Sequence, residues 1–143
     1  MKKIMSIAVS IIIAFSCLGM AYADEERSIN QLLNDYQAAY DEKDISAFKK
    51  TIYKVSFSIW SSKNSGIGSD SPIFKGFERY FSIYKSYKIT DRQIKVLKNI
   101  AYVQCKEIQT IKNGKTEIIE SMITLVKERG RWYIAIISGQ EVQ

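Results

Sequence analysis

Residues 100–138, IAYVQCKEIQTIKNGKTEIIESMITLVKERGRWYIAIIS, alternate apolar and polar side chains and are cut twice, at Asn113-Gly114 and Arg129-Gly130. A period of two sends successive side chains to opposite faces of a strand, and a glycine in second place suits the positive backbone angles of tight hairpins. The stretch therefore predicts three antiparallel strands, Ile100 to Ile111, Thr116 to Lys127 and Arg131 to Ser138. The run Ile89 to Leu97 just before it predicts a fourth.

Upstream of these strands the period changes. Ile29, Leu32, Leu33, Tyr36, Ala39 and Tyr40 recur at helical spacing, and Ser28 with Gln31 makes a capping-box signature at the start of that helix. A break at Glu42-Lys43 precedes a second short helix, with Asp44 or Ser46 as its cap and Ile45, Phe48 and Ile52 as its apolar side. From Lys54 the alternation of Val55, Phe57 and Ile59 against Ser56, Ser58 and Trp60 predicts a strand, and the polar residues 61–71 a loop. Gly76 then opens a third helix, carried by Phe77, Tyr80, Phe81 and Tyr84 and running to about Tyr87. The order is helix, helix, strand, helix, then four strands. It predicts an α+β fold, a strongly curved antiparallel sheet packed as a cone on three N-terminal helices, with a pocket at its mouth.

Residues 1–23 read as a cleavable signal peptide. Lys2 and Lys3 supply the positive end, Ile4 to Leu18 the apolar core, and Ala21-Tyr22-Ala23 the small-residue cleavage site. The apolar run is short for a retained anchor, which needs about 20 residues, and Phe15 spoils a lipidation box before Cys17. The mature domain, 24–143, is then periplasmic or secreted, with no stable membrane span. Subtracting Lys2 and Lys3 from 21 basic residues leaves 19 against 15 acidic, a formal charge of +4. That excess is spread along the chain, so no nucleic-acid partner is expected. Cys105 alone survives cleavage, so the mature chain has no internal disulfide, and its apolar setting predicts a buried thiol.

The run Leu33 to Phe48 (LNDYQAAYDEKDISAF) resembles the opening helices of SnoaL-like domains of the nuclear transport factor 2-like superfamily. Phe74-Lys75-Gly76-Phe77-Glu78-Arg79-Tyr80 is similar to the start of that family's third helix, and Lys127 to Ile134 to its last hairpin. The superfamily holds isomerases, dehydratases, cyclases, epoxide hydrolases and many binding or assembly domains, so the resemblance implies a fold rather than an activity. Ketosteroid isomerases hold an oxyanion with a Tyr and a protonated Asp while a second Asp moves the proton. An ungapped alignment puts Tyr36 on the Tyr but Trp60 on the base, and counting back from Gly130 puts Met122 on the other Asp. The dehydratase type depends on histidine, and the chain has none.

No catalytic set, metal site or cofactor is therefore expected. Asp35, Asp41 and Asp44 are explained by caps and surface positions. The aromatic residues chiefly build the core, while Tyr36, Tyr40 and Trp60 are candidates to line the cone. Glu107 and Glu120 lie on strands, where one that points inward would have its pKa raised by burial and join the ligand site. Three readings stand: a non-catalytic domain that binds a small apolar ligand or serves as a dimeric accessory module, an isomerase, dehydratase or cyclase acting on a small hydrophobic substrate, and a surface module using the positive charge. The resemblance implies a homodimer through the sheet face. Either Tyr133, Ala135 and Ile137 or Trp132, Ile134 and Ile136 would then form its apolar outer side.

Overall fold

The computed structural model describes the backbone of residues 2–54, 58–61, 65–67 and 81–142, and the side chains of 22–54 and 81–142. Two helices, α1 (Lys2–Glu42) and α2 (Ile45–Thr51), precede six strands: β1 (Ser58–Ser61), β2 (Ser65–Ile67), β3 (Tyr84–Leu97), β4 (Ile100–Ile111), β5 (Thr116–Glu128) and β6 (Arg131–Glu141). They form one sheet in the order β2-β1-β6-β5-β4-β3, antiparallel except where β1 runs parallel to β6. The α+β architecture and the four long C-terminal strands are as the alternation requires.

Three local expectations are corrected and one open alternative is decided. The helix does not start at Ser28, because nothing between Asp24 and Glu42 breaks a helix. Ser28 Oγ instead donates to the Asp24 carbonyl, and Gln31 Nε2 to Asp35 Oδ1. Asp44, not Ser46, caps α2: its Oδ1 accepts from the Ala47 N–H at 2.9 Å, just after Lys43 turns the chain with φ of 62°. Residues 65–67, expected in a loop, pair with β1, since backbone hydrogen bonding does not require an apolar composition. The third helix does not reach Tyr87. Residues 81–83 are helical and β3 starts at Tyr84, while Gly76, Phe77 and Tyr80 lie outside the described residues, as do Val55, Ser56 and Phe57. A register shift between Tyr84 and Ser86 brings both Tyr84 and Tyr87 inward. A spacing of three inside a bulged strand imitates a helical period.

The inner face of α1 is the predicted one: Ile29, Leu32, Leu33, Tyr36, Ala39 and Tyr40 are all buried. They meet Phe48 and Ile52 of the α2 segment and the inner sheet residues Tyr87, Ile89, Ala101, Val103, Cys105, Ile123, Leu125, Trp132, Ile134 and Ile137. Side chains of α1 also satisfy the free edge of the sheet. Asp41 Oδ1 accepts from the Tyr87 N–H at 2.7 Å and Gln37 Oε1 from the Ile89 N–H at 3.1 Å. One helical turn spans two residues of the edge strand, so outward N–H groups that would invite another strand are covered. Next to the register shift at Thr90/Gln93, Arg92 donates to Asn30 Oδ1 and Asn34 Oδ1. At the opposite end Glu25 accepts from Lys127 Nζ and, at 2.7 Å, from Trp132 Nε1.

The β5–β6 turn uses Arg129 (φ 50°) and Gly130 (φ 80°). A Cβ added at Gly130 would touch nothing, so Gly130→Ala tests backbone conformation alone. It should lower stability by about 1 kcal/mol in urea denaturation without altering the slope.

Candidate functional site

The direction of two glutamates decides what the interior can do. In the β4–β5 ladder Lys106 faces Glu120 and Glu107 faces Ile119, and the buried set Val103, Cys105, Glu107, Gln109, Ser121 and Ile123 marks the inner face. Glu107 therefore points inward, 5 % exposed, whereas Glu120 lies on the outer face and is exposed. The pair does not share one site, so Glu120 is corrected from cone lining to outer-surface residue. The pleat is the reason, since residues an odd number apart on strands in this register have opposite faces.

Glu107 Oε2 accepts a hydrogen bond from the Tyr87 hydroxyl. Burial pushes the Glu107 carboxyl up from its ordinary value, although the neighbouring Ser121, Tyr87 and Gln109 groups pull it down. Burial also pushes Tyr87 well above the usual phenol range, with Glu107 adding to the effect. Tyr87 thus stays a phenol and acts as the donor. Its ring stacks on Tyr40 at 4.3 Å and meets Tyr36 edge-on at 5.8 Å. Tyr36 and Tyr40 are 2 % and 3 % exposed and belong to the core as well as to the surroundings of this acid. Their periodicity shows their inward direction but not their neighbour. The side chain of Trp60 lies outside the described residues; its backbone pairs with Ser138.

Two residues of this cluster were not legible as site residues. Tyr87 reads as the end of a helix, and Ser121 as one more polar residue in a strand. Ser121 is 4 % exposed and sits diagonally across from Glu107. Its hydroxyl is near enough to favour the carboxylate, yet no hydrogen bond of good geometry forms, and Oγ has no partner among the described residues. Opposite Ser121 stands Gly139, where an added Cβ would come within 2.5 Å of both Ser121 Oγ and Ile119 Cγ2. Beyond this point the inner-face residues Glu117, Ile119 and Glu141 are half-buried.

Cys105 is buried, and desolvation raises its thiol to about 12, which makes it a poor nucleophile. The three aspartates are structural: Asp35 accepts from Gln31, Asp41 from the Tyr87 N–H and Asp44 from the Ala47 N–H. Among the described residues no group of three His, Cys, Asp or Glu side chains is placed to hold a metal ion.

The outer face is partly apolar. Ile100, Tyr102, Ile118, Met122 and Ile136 are exposed there. Neither expected set of β6 residues forms it complete, because a register shift at Thr124/Leu125 makes Ala135 an extra residue and breaks the alternation. Trp132, Ile134, Ala135 and Ile137 are buried, and of the two sets only Ile136 is exposed, at 38 %, with Tyr133 half-buried. An open concavity of about 500 Å³ lies on the same face, lined by Gln104, Glu120, Met122, Ser138 and Gln140 and bordered by Ser121 and Gly139.

A SnoaL-like domain model matches residues 29–139, nearly the whole length of the described fold. The chain belongs to the SnoaL-like domain family. Solved structures similar to this SnoaL-like domain include a Mycobacterium tuberculosis protein of unknown function, 16% identical with a TM-score of 0.71, the match covering 86% of this chain and 75% of that one. A Nostoc punctiforme protein of unknown function with a cystatin-like fold is 11% identical, with a TM-score of 0.68 and coverage of 82% and 90%. A candidate dehydratase of the nuclear transport factor 2-like family from Streptomyces avermitilis is 9% identical, with a TM-score of 0.73 and coverage of 84% and 97%. At these identities the likeness is one of fold. No curated protein matches the sequence.

Proposed function

We propose that the chain is an exported SnoaL-like domain that binds a small apolar ligand in its cone and pairs with a second copy across the outer sheet face, with no catalysis of its own. The observation that carries this reading is Glu107, the one buried acid among the described residues, set among tyrosines and clamped by the Tyr87 hydroxyl. Such a group orients a ligand, but proton transfer at two positions needs a second acid or base. The other half-buried inner-face acids, Glu117 and Glu141, both lie near Lys115 Nζ, at 2.8 and 3.9 Å. Export accords with the position of Glu25. Cleavage after Ala23 would retain this residue and its contacts to Lys127 and Trp132, and Asp24 should be the first residue found by sequencing the secreted protein.

A neutral apolar fluorophore, N-phenyl-1-naphthylamine, should bind the mature domain saturably, and Glu107→Gln should keep that binding. Absence of saturable binding to the folded protein would remove the ligand reading. An isomerase or dehydratase reading is second. It is favoured by the raised pKa of Glu107, and the Streptomyces avermitilis candidate dehydratase has the same fold. Turnover of any small hydrophobic substrate that Glu107→Gln abolishes without weakening binding would put this reading first.

The exposed Tyr102, Met122 and Ile136 support pairing through the outer face. Sedimentation should find a dimer, and the double change Met122→Lys with Ile136→Lys should give a folded monomer. A native chain that stays monomeric at high concentration would end the pairing proposal.

A further inference from the structure

The bond that export would cut lies between two tethers. Residues 21–25 belong to the unbroken helix α1, which covers the edge of β3 through Asp41 and Gln37. The same helix reaches further along that edge, where the Tyr22 hydroxyl donates to the Ile94 carbonyl at 3.1 Å. Glu25, on the other side of the bond, accepts from Lys127 Nζ and Trp132 Nε1, and the Lys127 ammonium lies 5.5 Å over the Trp132 ring. The three side chains close into one cluster. Between the tethers the Asp24 carbonyl accepts from Ser28 Oγ, and Arg27 lies 3.4 Å from Asp24 Oδ1. Tyr22, Ala23 and Asp24 are exposed, so conformation rather than burial decides whether a protease can act.

A protease takes its substrate as extended chain, which rises about 3.3 Å per residue against about 1.5 Å in a helix. Seating residues 21–25 in a cleft therefore unwinds the helix there and breaks the Glu25 contacts. We propose that the Glu25 clamp closes the processing site, so that the bond between Ala23 and Asp24 is cut before the β5–β6 hairpin docks and the folded precursor resists signal peptidase. The proposal rests on the export reading above and adds the order of cleavage and folding. Lys127 and Trp132 stand 102 and 107 residues after Glu25, so the clamp cannot form until that length of chain has been exported. Until then the bond is open to hydrolysis, which adds water across it and leaves a carboxyl on Ala23 and an amine on Asp24. Cleavage removes Tyr22 but not Glu25, and the mature domain keeps the clamp.

The test gives purified signal peptidase the full chain in detergent, either as it is diluted from urea or after it has refolded. The first should be cut after Ala23, and the second at least about tenfold more slowly, because cleavage of a folded chain follows the population of its opened form. Lys127→Met and Trp132→Phe leave the sequence around the bond intact. Each should speed cleavage of the refolded chain about tenfold. Phe48→Leu, which loosens the core away from the clamp, should leave the native rate unchanged. Equal rates for diluted and refolded native chain would overturn the proposal while the export reading stands. Unchanged resistance in both clamp variants would overturn it too, as would an equal acceleration in Phe48→Leu, which would trace cleavage to global unfolding. No cut after Ala23 in the chain diluted from urea would overturn the export reading and the proposal together.

Discussion

Replacing Phe48 by alanine should destabilise the mature domain by about 3–5 kcal/mol, the largest loss for a single side chain here. Phe48 is completely buried and has ring contacts with Tyr36 at 5.1 Å, Phe81 at 5.5 Å and Tyr40 at 6.4 Å. It is the place where α2, α1 and the segment entering β3 meet. A domain of this size is typically stable by about 5–15 kcal/mol, so the variant would be marginal and its melting temperature lower by roughly 10–20 °C. Phe48→Leu, which leaves less empty volume, should cost much less. Urea denaturation of the three proteins checks this. A loss under about 1 kcal/mol for alanine would mean that the aromatic cluster closes around the cavity and that α2 is not held by it.

Phe48 was legible as core because its helix is amphipathic, and the same holds for the inner faces of α1, β4, β5 and β6. Errors gathered where a local irregularity breaks the period. The register shift after Tyr84 made a strand look helical, and the one at Thr124/Leu125 mixed the two candidate outer sets of β6. Such shifts are settled by pairing between strands, which no single segment encodes. The capping box at Ser28 failed for a different reason. A cap forms only where the chain leaves the helix, and the preceding residues continue it.

The site was legible in part. Alternation fixed that Glu107 and Glu120 must be tested for direction, but only the ladder, with Lys106 opposite Glu120, separates them. That Tyr87 is the partner of Glu107 follows from β3 lying next to β4, with Ile89 opposite Glu107, and no spacing in the chain announces it. Ser121 carries no sequence signal at all. Its hydroxyl has no hydrogen-bond partner of good geometry among the described residues, a property of the packed interior.

The second large effect is a pH dependence that Glu107→Gln should abolish. The folded-state pKa of Glu107 lies above its ordinary value of 4.5 because burial outweighs the donors around it. Below 4.5 both folded and unfolded chains carry the proton, and the contribution of this group to stability is complete. As pH rises past 4.5 the unfolded chain ionises while the folded one keeps its proton, so stability falls by at most about 1.4 kcal/mol per pH unit. The fall ends at the folded-state pKa, above which both forms are ionised. Glu25 acts in the opposite sense. The hydrogen bond from Lys127 lowers its pKa, so its contribution is present above 4.5 and is lost on acidification through the folded value. Native stability is therefore a sum of opposed terms. Glu107→Gln keeps only the Glu25 term, and subtracting its curve from the native one should leave a line that falls as pH rises from 4.5. Tyr87→Phe removes a donor that favours the carboxylate, so Glu107 should hold its proton longer and the fall should extend to higher pH. A flat or rising difference curve would show that burial does not raise the Glu107 pKa in the folded domain.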